Sequence, residues 1–356
     1  MSGGVDSSVA ALLLQEEGHE VVGVTLNLWS YAGRQESYND CCSLAVVEVA
    51  RQLGLEHHFL DFGQLFEREV VDRFVQGYLD GRTPNPCIWC NARVRFPALL
   101  AAAEELGCEK VATGHHVRLA REDGLYYLLR GRDPQKDQTY FLYGLTQREL
   151  RRAIFPIGEL TKEEVYKLAR ARALSAAERP ESQDLCFIPE GDYRRFLKES
   201  AEGRIAPGEI VDTHGQVLGR HEGLPFYTIG QRQGLGLAAG RRLYVVGLDP
   251  RHNRVIVGPE EELYAAGLIA TEVNWPTGRP ADGGEMEAEV KIRYRSPLVR
   301  ARVKPLEGDK ARVMFEEPQR AVTPGQAVVF YRGERLLGGG LIWRVLRADA
   351  GAEAML

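Results

Sequence analysis

Apolar and polar positions in the first third of the chain alternate in blocks that suit buried strands and amphipathic helices. Short apolar runs predict strands at 21–26, 57–60 and 110–113, and helical periodicity predicts helices at 9–15, 43–53, 66–79 and 97–106. Strands that alternate with helices pair in parallel. The pattern therefore predicts an α/β domain with a doubly wound parallel sheet, whose ligands bind at the carboxyl ends of the strands.

The pattern changes near residue 203, where short strands between turn signals replace the helices. A hairpin at 117–129 and helices at 147–153 and 161–171 precede this change. The later strands are predicted at 208–212, 226–230, 243–246, 255–257, 288–294, 299–303, 311–316, 327–331 and 336–343. Such spacing is typical of small barrels or sandwiches. We predict a catalytic α/β domain at 1–203, a small mixed β-rich domain at 204–266, a C-terminal β-barrel at 267–348 and a tail at 349–356.

Composition narrows the class of protein without deciding its function. The chain has 356 residues, 44% of them hydrophobic and 27% charged, which is ordinary for a globular protein. It contains no run of about 18 apolar residues and no signal peptide, so we expect a cytoplasmic protein with no membrane partner. Six cysteines in this length do not indicate a disulfide scaffold.

Charge is unevenly distributed along the chain. The formal net charge of −5 argues against a general affinity for nucleic acid. Residues 285–347, however, carry 13 Lys and Arg against 8 Asp and Glu. This local excess suits either a module that contacts phosphates or a solvated basic face.

The segment 2–8, Ser-Gly-Gly-Val-Asp-Ser-Ser, is the strongest chemical signal. Gly3 and Gly4 can adopt left-handed backbone conformations, and Asp6 with the two following serines are residue types that cap helices. A glycine turn opening onto a helix gathers unpaired N–H groups and the positive end of the helix dipole, which bind anions. The segment lacks the Gly-Lys-Ser/Thr of a Walker A loop. It therefore predicts a different phosphate loop, with an exposed glycine turn as the alternative.

Cysteines form the second candidate site. Cys87 and Cys90 form a CxxC in a predicted loop stiffened by Pro84 and Pro86, just before a helix, where thiol pKa values are expected to be lowered. Cys186 lies far along the chain. A CxxC alone fits a redox pair, half a zinc site or coincidence. Zinc would need four ligands, and no second CxxC or HxxxH is present.

Taken together, the motifs resemble the bacterial tRNA-specific 2-thiouridylases, a family of PP-loop ATP pyrophosphatases with an adenine nucleotide alpha hydrolase-like fold. The resemblance covers nearly the whole chain and rests on ordered segments at 2–8, 83–91, 113–116, 136–142, 184–188, 228–232, 291–295, 323–326 and 337–340. A PP-loop normally follows a buried strand, and only Met1 precedes it here. We expect either a late-assigned start codon or a lost first strand, and favour the former because losing a central strand would remove much core.

The resemblance implies a role for each matching residue. Cys90 would be the nucleophile, Cys186 would carry a persulfide, and the two would form a transient disulfide. ATP would be bound by Ser2, Gly3, Gly4, Val5, Asp6, Ser7, Ser8, Leu26 and Gly114. The target base would meet Asn85, Pro86 and Cys87, and tRNA would be contacted by His115, Lys136, Asp137, Gln138, Arg293, Tyr294 and Gln326. Many members carry Asp where this chain has Cys87.

Two of the tRNA-contact assignments can also be considered from the residues alone. His115 and His116 follow a strand end, where both a tRNA contact and a hydrogen-bonded structural imidazole fit. Arg293, Tyr294 and Arg295 interleave cations with an aromatic ring on a predicted basic strand, which suits phosphates and an unpaired base. On a strand Tyr294 would face away from the two arginines.

The implied reaction is ATP-dependent 2-thiolation of the wobble uridine of tRNA, with release of AMP and pyrophosphate. The implied cofactors are ATP and Mg²⁺. The implied partners are tRNA with a wobble uridine, a persulfide or sulfide donor protein and a thiol reductant. Sulfur would come from a persulfide on Cys186. Alternatively, Cys87, Cys90 and Cys186 would hold a 4Fe-4S cluster that delivers hydrosulfide. More distant alternatives are another PP-loop ligase, which needs no cysteine pair, and a non-catalytic tRNA-binding protein.

Overall fold

The structure is a computed structural model that describes residues 1–29, 38–179, 185–188, 191–237, 240–280 and 284–347, apart from the side chains of 38–43. The predicted tail and the side chains of Cys41 and Cys42 lie outside this description. The described chain divides into two compact units. Unit 1 comprises Met1–Val71, Cys87–Gly191 and Glu334–Leu337, and unit 2 comprises Asp72–Pro86, Asp192–Gly333 and Gly338–Leu356. The domain boundaries predicted from the sequence stay predictions.

Helices are concentrated in the first 200 residues. They are α1 Val5–Glu16, α2 Tyr38–Leu53, α3 Gly63–Phe66, α4 Asp72–Leu79, α5 Pro86–Trp89, α6 Phe96–Glu105, α7 Gln147–Arg152, α8 Lys162–Ala171 and α9 Tyr193–Ser200. π-Helical turns span Glu67–Val71 and Cys90–Arg95. Short 3₁₀ turns span Thr139–Phe141, Ser175–Glu178, Leu224–Phe226 and Glu260–Leu263. Among the described residues, no helix combines the length and apolar character required to cross a membrane.

Strands dominate the second half of the chain. They are β1 Val22–Asn27, β2 Glu56–Asp61, β3 Val111–Ala112, β4 Val117–Glu122, β5 Leu125–Arg130, β6 Ala153–Ile154, β7 Gly208–Asp212, β8 Val217–His221, β9 Tyr244–Asp249, β10 Arg254–Gly258, β11 Tyr264–Asn274, β12 Met286–Lys291, β13 Val299–Pro305, β14 Ala311–Arg320, β15 Ala327–Arg332 and β16 Arg335–Leu346.

Unit 1 is an α/β structure with parallel strand pairs. β1 pairs with β2, and β3 pairs with β6, both in parallel. α1 packs against α8 through a core that includes Val9, Val165 and Ala169, each fully buried. The predicted hairpin is present as β4 and β5, with Asp123 and Gly124 both at positive φ in its turn. The predicted α/β fold class is confirmed, and the packing of α1 on α8 sets the position of the glycine loop.

Unit 2 contains a small sheet and a barrel. The small sheet has the order β8-β7-β10-β9. The barrel runs β11-β14-β13-β12-β15-β16 and is closed within the described residues by pairing of β11 with β16. Its core contains the fully buried side chains of Val303, Val313 and Phe330; burial alternates along β13, whereas the first five residues of β15 are all buried. The predicted C-terminal barrel is confirmed. β8 and β11 were missed by the sequence analysis.

Two strand predictions are wrong. Residues 226–230 do not form a strand, because Pro225 lacks an N–H for a ladder and Gly230 turns the chain at a φ of +89°. The strand predicted at 288–294 ends at Lys291. Arg293 and the two residues after it lie in a turn closed by Ser296, whose N–H and hydroxyl both donate to the Arg293 carbonyl.

Candidate active site

The glycine loop leads directly into α1. Gly3 has a φ of +73°, and a Cβ there would lie 2.9 Å from the Cβ of Ala45, so only glycine fits. Gly4 is the N-cap residue, with no capping side chain among the described residues. Ser7 and Ser8 instead donate their hydroxyls to the Gly4 carbonyl, at 3.1 and 3.0 Å. The first-turn N–H groups of a helix have no intrahelical acceptors, and Gly4 has no side chain to cap them here. This arrangement binds anions.

Other predicted nucleotide residues lie on the same elements. The Ser2 hydroxyl is 3.2 Å from the Ser7 hydroxyl. Val5 is buried at the start of α1, and Leu26 is partly buried on β1. The loop is therefore held by hydrogen bonds within itself at one end and by apolar burial at the other.

Asp6 is the charged centre of the loop. The Lys162 ammonium lies 2.7 and 2.8 Å from its two carboxylate oxygens, and His116 Nε2 lies 3.2 Å from one of them. Burial alone would raise the pKa of Asp6, but the hydrogen bonds from His116 and Lys162 and their charges lower it overall. The carboxylate is therefore ionised at neutral pH.

Gly114 lies directly against this loop. A Cβ at Gly114 would be 2.6 Å from both the Asp6 carbonyl carbon and the Ser7 amide nitrogen. Real Cβ atoms do not approach backbone so closely, and the clash is with backbone atoms that cannot rotate away. The segment that follows β3 is therefore packed onto the start of α1 at a position where a side chain has no room.

Both adjacent histidines are buried, but whereas His116 bonds to Asp6, His115 bonds to Thr113 outside the loop. Its Nδ1 lies 2.8 Å from the Thr113 hydroxyl, and its ring stacks on Phe96 with centroids 6.2 Å apart. Burial is the main cause that lowers the pKa of His115 to about 3, with the Arg95 charge acting in the same direction. His115 is therefore a neutral imidazole packed among aromatic rings, and its predicted contact with tRNA stays a prediction.

The segment 136–138 is tied to the same strand end. Gln138 exchanges two hydrogen bonds with His116, accepting its N–H at 2.9 Å and donating to its carbonyl at 3.2 Å. The Asp137 side chain is buried and accepts from the Thr139 N–H and hydroxyl and from the Gly131 N–H. Lys136 is partly exposed. These bonds give Asp137 a structural role, while Lys136 and Gln138 present side chains that solvent reaches.

The three candidate thiols all belong to unit 1, and each is reduced: Cys90 is buried, Cys87 is partly exposed and Cys186 is exposed. Burial, and after it the neighbouring charges of Cys186 and Cys90, raise the pKa of Cys87 to about 12. Because these charges act on Cys87, the chain brings Cys186 within electrostatic reach of the CxxC. The Phe187 ring contacts Phe66, with centroids 5.7 Å apart, and this anchors the segment that presents Cys186.

Two sequence expectations for the CxxC are wrong. Cys87 lies in α5 and Cys90 begins a π-helical turn, so the motif is helical and not a loop. Pro86 at the first position of α5 favours the helix because its φ is already helical. The pKa of Cys90 is raised and not lowered, since burial outweighs the opposing charge of Arg95. The thiols are thus mostly protonated at neutral pH.

In unit 2, Arg293 and Gln326 support the segment that leads to Asn85 and Pro86. The Gln326 amide donates to the Thr83 carbonyl at 2.7 Å, and the Thr83 N–H donates to the Pro324 carbonyl at 2.9 Å. The Arg293 guanidinium donates to Thr323 and to the Ala321 carbonyl in the adjoining stretch of chain. Asn85 and Tyr294 are partly exposed, whereas Pro86 is buried.

Sequence reasoning did not pair Lys162 or His116 with Asp6, and it missed Arg95 near the thiols. Lys162 is 156 positions from Asp6, so no local pattern could pair them. Arg95 could have been found, because it lies on the same helical segment as Cys90. Its charge lowers the pKa of both thiols against the effect of burial.

An α/β unit whose glycine loop opens a helix beside the ends of parallel strands defines a nucleotide-binding protein of the PP-loop class. Family models agree with this fold along the chain. The tRNA methyl transferase HUP domain matches residues 1–190, the tRNA methyl transferase PRC-barrel domain matches 194–259 and the aminomethyltransferase beta-barrel domain matches 265–342.

Full-length relatives specify the family. The chain is 52% identical over 352 residues to the tRNA-specific 2-thiouridylase MnmA of Carboxydothermus hydrogenoformans, covering 96% of both chains. It is 51% identical to the protein of that name from Geobacter metallireducens, over 96% of this chain and 95% of the relative. It is 43% identical to the protein of that name from Clostridium perfringens, over 97% of this chain and 98% of the relative. The chain belongs to the tRNA-specific 2-thiouridylase family.

We predict that Gly114→Ala weakens ATP binding at least about tenfold, because the added methyl must push the Asp6–Ser7 backbone out of place. Isothermal titration calorimetry with ATP and Mg²⁺ measures this change. Gly284→Ala is the matched control, since a Cβ there meets no atom within 4 Å. An unchanged ATP affinity in Gly114→Ala would show that the close approach does not shape the nucleotide site.

Proposed function

We propose that this chain is a tRNA 2-thiouridylase that replaces the C2 oxygen of the wobble uridine of tRNA with sulfur and acts in the cytoplasm. The observation that carries the proposal is one unit in which an anion-binding loop at α1 and three thiols occur together. The family membership supports the same reaction, since its named members are tRNA-specific 2-thiouridylases.

The loop suits activation of the base by ATP. The C2 oxygen is a poor leaving group until it attacks the α-phosphate of ATP, which expels pyrophosphate and leaves an O-adenylylated base. The N–H groups of the first turn of α1 would bind the departing phosphates and offset their charge. Mg²⁺ is usually held by one or two carboxylates together with substrate phosphates, and Asp6 supplies an ionised carboxylate at the loop. When bound, the metal would neutralise phosphate charge.

The thiols suit a sulfur relay. The Cys90 thiolate would attack the inner sulfur of a Cys186 persulfide, forming a Cys90–Cys186 disulfide and expelling hydrosulfide. Hydrosulfide would then attack C2 of the base, and AMP would leave with the former C2 oxygen. A donor protein would load Cys186, whose exposure suits such an encounter. A thiol reductant would supply two electrons to restore both thiols. Arg95 would favour the Cys90 thiolate that this attack requires.

The alternative 4Fe-4S cluster does not fit the arrangement seen here. Among the residues the structure describes, no three His, Cys, Asp or Glu side chains converge as a metal site. We therefore derive no step through a cluster.

For tRNA recognition we propose a division of labour among the assigned residues. Lys136, Gln138 and Tyr294 have exposed surface that can contact RNA, and Asn85 and Pro86 with Cys87 would meet the flipped base. Asp137, His115, Arg293 and Gln326 make internal hydrogen bonds that would hold these contacting segments in place. Arg295 is exposed beside Tyr294 and adds a cation for phosphate.

A second candidate function is transfer of a methyl group to tRNA, because two of the matching family models are named for tRNA methyl transferases. The presence of an anion-binding loop and three thiols in the same unit favours thiolation, because methyl transfer needs neither a cysteine pair nor cleavage of ATP. Nucleoside mass analysis of treated tRNA separates the two products.

We predict that Cys90→Ser and Cys186→Ser each abolish thiolation of tRNA while ATP still binds, because a hydroxyl cannot take part in the relay. Cys108→Ser is the control, since Cys108 is a thiol of unit 1 outside the proposed relay. Thiolation is measured by mass analysis of tRNA nucleosides, and ATP binding by calorimetry. Retained thiolation in either of the first two variants would refute its role.

Cys87→Asp separates the persulfide relay from a cluster. The persulfide route predicts that this variant keeps thiolation within about fivefold of the wild type, since Cys87 takes no part in the bond exchange. A cluster would lose a ligand and its activity. Anaerobic purification with iron and sulfide analysis of both proteins completes the test. An iron-containing wild type and an inactive Cys87→Asp would contradict the persulfide route.

A further inference from the structure

The first residue of α8, Lys162, directs its side chain to the glycine loop. Its ammonium lies 2.7 and 2.8 Å from the Asp6 carboxylate oxygens, and 5.2 Å from the centroid of the Tyr166 ring one turn along the helix. A bidentate contact of this kind fixes the ammonium beside the helix start where the phosphates of ATP are proposed to bind.

The backbone of Lys162 is held in place independently of Asp6. Thr161 forms a capping box with Glu164, with N–H to oxygen distances of 3.2 and 2.7 Å. The Lys162 N–H donates to a carboxylate oxygen of Asp133 at 3.1 Å. The start of α8 is therefore built so that this side chain reaches the loop, and only the flexible four-carbon stem has to move for the ammonium to change partner.

Burial distinguishes Lys162 from an ordinary surface lysine. Its side chain is 11% exposed, whereas Lys167 on the same helix is exposed to solvent. Lysines are rarely buried this far unless a partner compensates the lost hydration. The Asp6 side chain is 31% exposed, so its carboxylate is accessible from solvent at the loop.

Asp6 also has a second partner, because His116 Nε2 is 3.2 Å from its carboxylate. Asp6 would therefore keep a hydrogen-bond partner if the Lys162 ammonium moved away. The Lys162 ammonium therefore adds a positive charge to a loop that is suited to bind anions through its backbone N–H groups.

We propose that Lys162 is a pyrophosphate-binding residue of the nucleotide site, held by Asp6 while nucleotide is absent. Asp6 would hold the Mg²⁺ that accompanies ATP, and the Lys162 ammonium would donate to the phosphates that leave as pyrophosphate. The inference rests on the proposed ATP-dependent function, and it adds a side-chain cation to the backbone donors of the loop.

The test compares Lys162→Met with Lys167→Met, the exposed control on the same helix. Calorimetry measures binding of ATP, inorganic pyrophosphate and AMP to the full chain in the presence of Mg²⁺. Loss of a charge-assisted hydrogen bond predicts that Lys162→Met binds ATP and pyrophosphate about 10- to 100-fold more weakly. AMP lacks the leaving phosphates, so its affinity is expected to change less than about twofold. Lys167→Met is expected to match the wild type.

Unchanged or tighter binding of ATP by Lys162→Met, in a protein whose thermal melting is intact, would overturn the inference and leave Lys162 a structural partner of Asp6. An equal loss for AMP would also overturn it. Should Lys162→Met melt early, Lys162→Arg keeps the charge and is expected to recover most of the pyrophosphate affinity; failure to recover it in a folded protein counts against the inference. A wild-type protein that binds no ATP would instead refute the proposed function, and the inference with it.

Discussion

A carboxylate held between two donors at the start of a helix is the interaction on which the rest of unit 1 depends. Asp6 lies in the first turn of α1 and receives Lys162 from α8 and His116 from the strand end after β3. Three chain segments that are far apart in sequence meet at this one side chain. Because Gly114 also contacts the Asp6 backbone, the glycine loop is fixed from both sides before any nucleotide arrives.

Burial of the proposed nucleophile, Cys90, limits the sulfur chemistry because it disfavours the reactive thiolate. Burial raises the pKa of Cys87 and Cys90, so both thiols stay protonated at neutral pH, while Arg95 works against that effect. A protonated thiol is a weak nucleophile and resists oxidation. The proposed relay therefore needs a group that takes the Cys90 proton, or a stronger influence of Arg95, before the thiolate forms.

The sequence predicted features that depend on local physics. Helical and strand periodicity located most elements within a few residues, and Asp123-Gly124 identified the hairpin turn. The glycine loop was recognised because Gly3 needs a positive φ. Features that depend on tertiary context were missed or reversed. The pKa values of the CxxC thiols follow from burial, which a motif does not reveal, and the Arg293 turn follows from Ser296 side-chain bonding.

Lys162 is a second example, because its helix was predicted correctly but its contact with Asp6 was not. Its helix was predicted at 161–171 and is observed at Lys162–Ala171, yet its partner lies on another helix 156 residues away. Periodicity places a residue on a helix but does not say which loop the helix end approaches. The roles assigned through the resemblance divide in the same way, because Asp137 and Arg293 make internal bonds that a motif cannot distinguish from contacts with RNA.

The central claim is that Cys90 and Cys186 exchange sulfur within one site during thiolation. Its most direct test is peptide mapping of the persulfide-loaded enzyme after a single turnover with ATP and tRNA in the absence of reductant. The account predicts one Cys90–Cys186 disulfide for each thiolated uridine formed. Thiolated tRNA produced while both residues remain reduced would contradict it.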